Sequence, residues 1–202
     1  SEIMQGVLAP FNSFGTYQMN QGVFTTMSYN DGWQLAPMGP VPGTTSGDQA
    51  TPMALDVALL QQKYGSNPVT NSGNTTYQLV AANGSYVTIW DTGGVDTISF
   101  SGTQAVVIDL RAATLLNELG GGGFVSYVAP FHNGFTIAAG AVIENATGGS
   151  GDDTLTGNSA NNLLQGNGGN DTFSAGHGND YMNGGTAVDT FAGGAGIDRV
   201  SL

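Results

Sequence analysis

"GGSGDDTLTGNSANNLLQGNGGNDTFSAGHGNDYMNGGTAVDTFAGGAGIDRVS", residues 148–201, divides without a gap into six nonapeptides: GGSGDDTLT, GNSANNLLQ, GNGGNDTFS, AGHGNDYMN, GGTAVDTFA and GGAGIDRVS. Their sixth positions are Asp153, Asn162, Asp171, Asp180, Asp189 and Asp198. Their eighth positions are Leu155, Leu164, Phe173, Met182, Phe191 and Val200. A flexible Gly/Asn/Ser linker has no reason to keep an apolar side chain at one fixed position in nine. A nonapeptide with a fixed acid and a fixed apolar residue is the repeat of a calcium-binding parallel β-roll.

The spacing carries the chemistry. The first six residues of each repeat are expected to turn, glycines supplying the φ > 0 conformations that aim carbonyls inward. The last three form a short strand whose eighth-position side chain points into the roll. Two nonapeptides complete a coil, so equivalent turns stack every 18 residues, roughly one strand spacing apart. One edge then carries Asp153, Asp171 and Asp189, and the other Asn162, Asp180 and Asp198. With the turn residues Gly149, Gly151, Gly169, Gly176, Gly178, Gly194 and Gly196, these make oxygen cages of the kind hard Ca²⁺ prefers. The core between the edges is only six side chains thick, too thin to offset the chain entropy of so many glycines. Calcium is therefore expected to be part of the fold. Asn162 brings no charge, and Ala160 and Ala187 stand where other repeats have a fourth-position glycine, so sites touching repeats two and five should be weaker.

Composition agrees. Three Lys+Arg against 15 Asp+Glu give a formal charge of −12, while only 9% of residues are charged. Nothing here could neutralise phosphates, so a nucleic-acid partner is excluded and divalent cations suit the surplus. No cysteine is present, which removes disulfides and thiolate chemistry. No apolar run is long enough to span a membrane, and no basic-then-apolar leader is visible. An acidic, Gly-rich chain without cysteine suits a secreted bacterial protein.

Residues 51–65, "TPMALDVALLQQKYG", predict one amphipathic helix: Thr51 as cap, Pro52 at the first helical position, Gly65 at the end. Met53, Leu55, Val57, Leu59, Leu60 and Tyr64 would supply its apolar surface. The stretch 34–50 is a Pro/Gly-rich irregular connection. From 75 to 147 short β-like runs alternate with turns: "TYQLV", "SYVTIW", "DTISF", "AVVIDL" and "FTIAA". Their spacing suggests a β-sandwich leading into the roll, with "GGGG" at 120–123 as a mobile surface loop. The expected fold is mainly β, with an irregular segment and one helix in 1–65, a sandwich in 66–147 and the roll in 148–202. The sandwich, with its own core, should depend less on calcium than the roll.

"FTTMSYND" (24–31), the helix ending "QQKYG", "WDTGGVDTISFSG" (90–102), "AAGAVIENATGGSGDDTLTGNSANN" (138–162) and the roll occur in one order. In this the chain resembles the serralysins, secreted zinc metalloproteases of the metzincin clan. The resemblance spans roughly residues 20–202. It implies that "MSY" is a Met-turn, with Met27 as a hydrophobic floor beneath zinc and Tyr29 as a movable zinc ligand. It also implies two calcium sites before the roll. One uses Asn71, Gly73, Thr75, Asp91 and Gly93, with Asn71 standing where the family often has Arg. The other uses Gly94, Asp96, Val142 and Glu144. Without the resemblance, Asp91 and Asp96 around Gly93 and Gly94 are consistent with a simple turn.

The departure from the family is large. Metzincin hydrolysis needs three histidines on zinc and a glutamate base in H-E-x-x-H-x-x-G-x-x-H, and the sequence contains no such segment. Its histidines are His132, in a loop, and His177, in a roll turn; its glutamates are Glu2, Glu118 and Glu144. The expectation is the calcium-binding C-terminal portion of a secreted metalloendopeptidase, without activity of its own. Zinc would bind only if a catalytic segment were supplied, and that segment or a protein substrate would be the partner. The competing possibility is a non-enzymatic calcium-dependent adhesion or surface module. A β-roll lipase would show G-x-S-x-G, and none is present. The last repeat stops at Ser201, so an open sheet edge is expected there unless more chain covers it.

Overall fold

A computed structural model describes residues 49–202 apart from 117, together with Phe24 and Pro37. Met27, Tyr29 and most of the 34–50 connection lie outside the described residues.

The helix α1 runs Ala54–Tyr64 and ends, as expected, at Gly65, whose φ is +82° and whose N–H donates to Gln61 O at 2.8 Å. Its start differs from expectation. Asp56 reaches back to accept the Met53 N–H at 2.9 Å, so Met53 is the N-terminal cap residue and the acid satisfies an otherwise orphan donor. The Thr51 hydroxyl is used elsewhere: it accepts the Thr88 N–H and ties the helix entry to the β-structure. Only Met53, Ala54, Leu55 and Asp56 are buried, while Leu59, Leu60 and Tyr64 are exposed.

Among the described residues thirteen short strands follow, and every β-like run named above overlaps one. They are β1 (Thr76–Gln78), β2 (Tyr86–Ile89), β3 (Thr97–Ser99), β4 (Val106–Asp109), β5 (Tyr127–Val128), β6 (Gly134–Ile137) and β7 (Asn145–Thr147). The repeats then supply β8 (Thr154–Thr156), β9 (Leu163–Gly168), β10 (Thr172–His177), β11 (Tyr181–Thr186), β12 (Thr190–Ala195) and β13 (Arg199–Ser201). One six-stranded sheet has the order β1-β3-β7-β9-β11-β13, parallel throughout. A five-stranded sheet has the order β12-β10-β8-β4-β5, with only β5 antiparallel. A third, two-stranded sheet pairs β2 with β6.

The register confirms the 18-residue coil: Phe173 pairs with Leu155 and Phe191, and Met182 with Leu164 and Val200. Both large sheets continue across residues 147 and 148 without a break in pairing, since β7 pairs with β9 and β4 with β8. One apolar cluster fills the space between them, from Leu79, Ile98 and Ile108 to Leu155, Leu164, Phe173 and Met182. The six-residue roll core is thus an extension of a larger one. At its far end Phe173 stacks on Phe191 at 4.9 Å between centroids, and Val200 is half exposed.

Two expectations are corrected. From the third repeat on, the first three positions do not leave the strand: pairing continues through Gly176↔Gly194 and Gly185↔Asn167. Successive coils bend identically, so their backbones stay one strand spacing apart through the bend and the ladder persists. Nor is the "GGGG" run a projecting loop. Gly121, Gly122 and Gly123 are buried, and a Cβ on Gly122 would lie 2.8 Å from the Phe24 side chain. Glycine is needed there for close approach rather than mobility.

The two fourth-position alanines also part company. Ala187 has φ of +93°, like Gly169, Gly178 and Gly196 at the same repeat position, whereas Ala160 has no positive φ. A left-handed backbone costs an alanine about 1–2 kcal/mol. Ala187→Gly is therefore expected to stabilise the chain by about 1 kcal/mol, and Ala160→Gly to destabilise it by a similar amount through added chain entropy. Urea midpoints of the two variants check this; a common sign would contradict the turn assignment.

Candidate metal centre

Each sixth-position side chain reaches across to the neighbouring coil. On the edge of the five-stranded sheet, the Val106 N–H donates to Asp153 Oδ1 at 2.9 Å, the Asp153 N–H to Asp171 Oδ1 at 2.8 Å, and the Asp171 N–H to Asp189 Oδ1 at 2.9 Å. On the other edge the Asn162 N–H donates to Asp180 Oδ1 at 2.7 Å and the Asp180 N–H to Asp198 Oδ1 at 3.0 Å. The same arrangement extends beyond the repeats. The Thr75 N–H donates to Asp96 Oδ1 at 2.7 Å and the Asp96 N–H to Glu144 Oε2 at 2.8 Å. Asn162 makes the join, its Nδ2 donating to Glu144 O at 2.9 Å. Asp96 and Glu144, widely separated in sequence, are thus members of the ladder that Asp180 and Asp198 continue.

These bonds use one carboxylate oxygen; the second of Asp153 accepts the Gly149 N–H at 2.7 Å, and others are left. Asp96, Asp153, Asp171 and Asp180 are at most 2% exposed. Oδ2 of Asp96, Asp171 and Asp180 is buried with no hydrogen-bond partner among the described residues. The first-position glycines of repeats one, three, five and six sit against that second oxygen, whereas repeat four begins with Ala175: a Cβ on Gly166 would collide with Asp171 Oδ2, and one on Gly184 with Asp189 Oδ2. The carbonyl of the next coil closes the same space, Gly184 O lying 2.9 Å from a Cβ built on Gly166. A free carboxylate oxygen and a carbonyl oxygen therefore converge where glycine leaves room. Among the described residues no three His, Cys, Asp or Glu side chains gather as a metal cluster. The donors in the ladder are instead single carboxylates with main-chain carbonyls, a set suited to Ca²⁺ and foreign to zinc.

Burial without a counter-charge shows in the acidities. Burial first, then the charges of Asp153, Asp189 and Asp152, push Asp171 up to about 6, although its bond from the Asp153 N–H opposes the rise. Burial is also the main cause that raises Asp96, Asp153 and Asp180, with lesser pushes from Asp91 and Glu144, from Asp152, and from Asp198 respectively. Orphaned oxygens and raised pKa values coincide at Asp96, Asp171 and Asp180 and mark places where a cation would relieve the fold.

The residues of the other expected site are arranged differently. Asp91 is 1% exposed and already bonded at both oxygens, by the Tyr77 hydroxyl at 2.6 Å and the Gly93 N–H at 3.0 Å. Asn71, at φ +50°, donates through Nδ2 to the Tyr77 hydroxyl and to Trp90 O, and the Thr75 hydroxyl donates to Gly73 O. The structure brings these residues together as a hydrogen-bonded corner. Gly94 packs on Gly73, a Cβ there lying 2.7 Å from Gly73 O, and Val142 is exposed two residues before Glu144. His177 is exposed at the end of β10, whereas His132 is 2% exposed.

A second ladder went unread in the sequence. Fifth-position side chains accept from the following coil: the Asn170 N–H donates to Asp152 Oδ1 at 2.7 Å, Asn179 N–H to Asn161 Oδ1 at 2.8 Å, Val188 N–H to Asn170 Oδ1 at 3.2 Å, and Ile197 N–H to Asn179 Oδ1 at 2.8 Å. The column Asp152, Asn161, Asn170, Asn179 was the available signal. It ends at Val188 and Ile197, which offer no side-chain acceptor.

Two measurements follow. Without calcium, the folded chain holds protons on raised carboxyls that the unfolded chain releases, so their contribution is complete below the ordinary aspartate value and lost as pH rises through about 6. Calcium-stripped protein should have a higher urea midpoint near pH 4.5 than near pH 7.5; the reverse order would contradict burial of uncompensated carboxylates. Asp171→Asn should lower calcium affinity tenfold or more, about 1.4 kcal/mol. Asn162→Ala, which loses bonds to Glu144 O and the Asn158 N–H, should instead cost about 1–3 kcal/mol with and without calcium. Isothermal titration and urea melts separate the two.

Comparison with known proteins places this architecture. Residues 61–202 match the family described as Peptidase M10 serralysin C terminal. Over 158 residues the chain is 35% identical to Serralysin B of Dickeya chrysanthemi, covering 72% of this chain and 30% of that protein. It is 35% identical over 163 residues to Metallopeptidase AprA of Pseudomonas marginalis, covering 73% and 31%. With Serralysin of Proteus mirabilis the identity is 33% over 152 residues, covering 69% and 28%. The chain thus spans about 30% of the length of these relatives. The matched segment contains every strand and both carboxylate ladders, and the chain belongs to the peptidase M10 serralysin C-terminal family.

Proposed function

We propose that this chain is the calcium-binding C-terminal portion of a secreted serralysin-type metalloendopeptidase, a module that folds on Ca²⁺ and supports a protease domain. The observation that carries the calcium part is the set of buried, unpartnered Oδ2 atoms on Asp96, Asp171 and Asp180. Calcium would be held by the sixth-position carboxylates Asp153, Asp171, Asp180, Asp189 and Asp198 with glycine carbonyls of the adjoining turns, and by Asp96 with Glu144 next to Asn162. The ion would supply the charge that lets these acids stay ionised when buried. The Asp91 corner, bonded by Tyr77 and Gly93, and Asp153, bonded by the Val106 and Gly149 N–H groups, would have to exchange those bonds for an ion, so they should be the weaker sites. Similarity to proteins named as serralysins favours the protease module over an adhesion module. Among the described residues no helix could cross a membrane, which accords with release from the cell.

Catalysis would belong to the part of such a protein that carries H-E-x-x-H-x-x-G-x-x-H. Tyr29 and Met27 are proposed to complete a zinc site only in its presence. The test is metal analysis after dialysis against millimolar Ca²⁺ and micromolar Zn²⁺, with a casein assay alongside. Several calcium ions per chain, no stoichiometric zinc and no turnover are expected. A chain that retains zinc and cleaves casein, or that retains no calcium, would overturn the proposal.

A further inference from the structure

The segment Phe131–Gly134 meets residues 80–84 at a junction away from the ladders. The His132 N–H donates to Asn83 Oδ1 at 3.0 Å, and His132 O accepts the Gly84 N–H at 3.0 Å. Beside it Asn133, 5% exposed, donates through Nδ2 to the carbonyls of Val80 and Ala82. The junction leads directly into β6 and, on the other side, into β2, its partner strand. His132 is 2% exposed, and its Nδ1 is buried with no hydrogen-bond partner among the described residues.

We propose that His132 is an acid-sensitive latch: protonation of its imidazole opens the junction between residues 80–84 and 131–134 while the carboxylate ladders stay closed. An imidazolium has two N–H donors and a full charge, and the closed junction gives its Nδ1–H no acceptor. Residues 79–85 and 128–135 contain no Asp, Glu, Lys or Arg. The titratable side chains that border them, Tyr86 and Tyr127, are buried and raised by that burial, so they stay neutral. Among the described residues no counter-charge therefore acts on the ring, and desolvation alone lowers the pKa of His132. A lowered histidine contributes stability that is present above its ordinary value and lost as pH falls toward the folded one. Opening supplies the missing acceptor as water. This rests on the junction alone and holds whether or not the calcium proposal does.

The experiment is amide hydrogen exchange in saturating calcium between about pH 8 and pH 5, where histidine ordinarily changes charge, corrected for intrinsic exchange rates. Protection of the Gly84 and His132 amides should fall several-fold on acidification in the parent chain. In His132→Gln it should not change, and the Asp153 and Asp180 amides should keep their protection in both. Equal protection of the junction at both pH values, or the same fall in His132→Gln, overturns the latch. Should that variant fail to fold, proton NMR of the parent decides, with His177→Gln assigning the two imidazoles. A His132 midpoint below the ordinary value of about 6.5 is expected, and one at or above it overturns the proposal.

Discussion

The structure depends on one bond repeated between coils: a backbone N–H donating to the carboxylate of the neighbouring turn. It sets the stacking distance, since Asp153, Asp171 and Asp189 each accept from the coil before them. It also brings the acids into the interior, because a side chain that reaches an amide at the edge of a closed roll is buried in doing so. At Asp96, Asp171 and Asp180 the second oxygen is then left dry. Burying an ionised carboxylate costs several kcal/mol unless it is paired, so the bond that organises the coils creates the demand for a cation. On the proposed calcium reading, fold and ligand site would be the same arrangement viewed at different oxygens.

That arrangement explains why the chain is not two bodies joined at residue 148. Asp96 and Glu144 stand in the same ladder as Asp180 and Asp198, and the strands beside them pair in the same sheet. Strands before and after the junction share one apolar cluster. Loss of cations from the repeats should therefore be felt at Ile98 and Ile108 as well as at Phe173. Against the expectation of a sandwich less dependent on calcium, the shared sheets and core favour coupled melting.

The roll was legible because its period is strict: an acid at the sixth position and an apolar residue at the eighth fix coil length, register and inward face. The ladder before residue 148 was not legible from the residues alone. There the 18-residue interval is broken by excursions, the longest carrying residues 100–144 between β3 and β7, and the stacked acids no longer recur at a fixed distance. Only resemblance to a family pointed to Asp96 and Glu144. The start of α1 was misjudged because Thr51 and Asp56 are both good capping residues, and tertiary demand from Thr88 decided between them. The burial of Gly121–Gly123 was hidden because a glycine run looks the same whether it moves or lets Phe24 and Phe124 close in.

What the cation does for the fold can be read in one titration. The chain is stripped of calcium at about neutral pH, where buried Asp171 would be ionised (its value being about 6), and far-UV circular dichroism is followed as Ca²⁺ is returned to millimolar levels. The expected result is weak β signal in chelator that rises cooperatively with calcium, with Trp90 fluorescence changing at the same midpoint. A β spectrum already complete in chelator and unmoved by calcium would contradict the dependence of this structure on its carboxylate ladders.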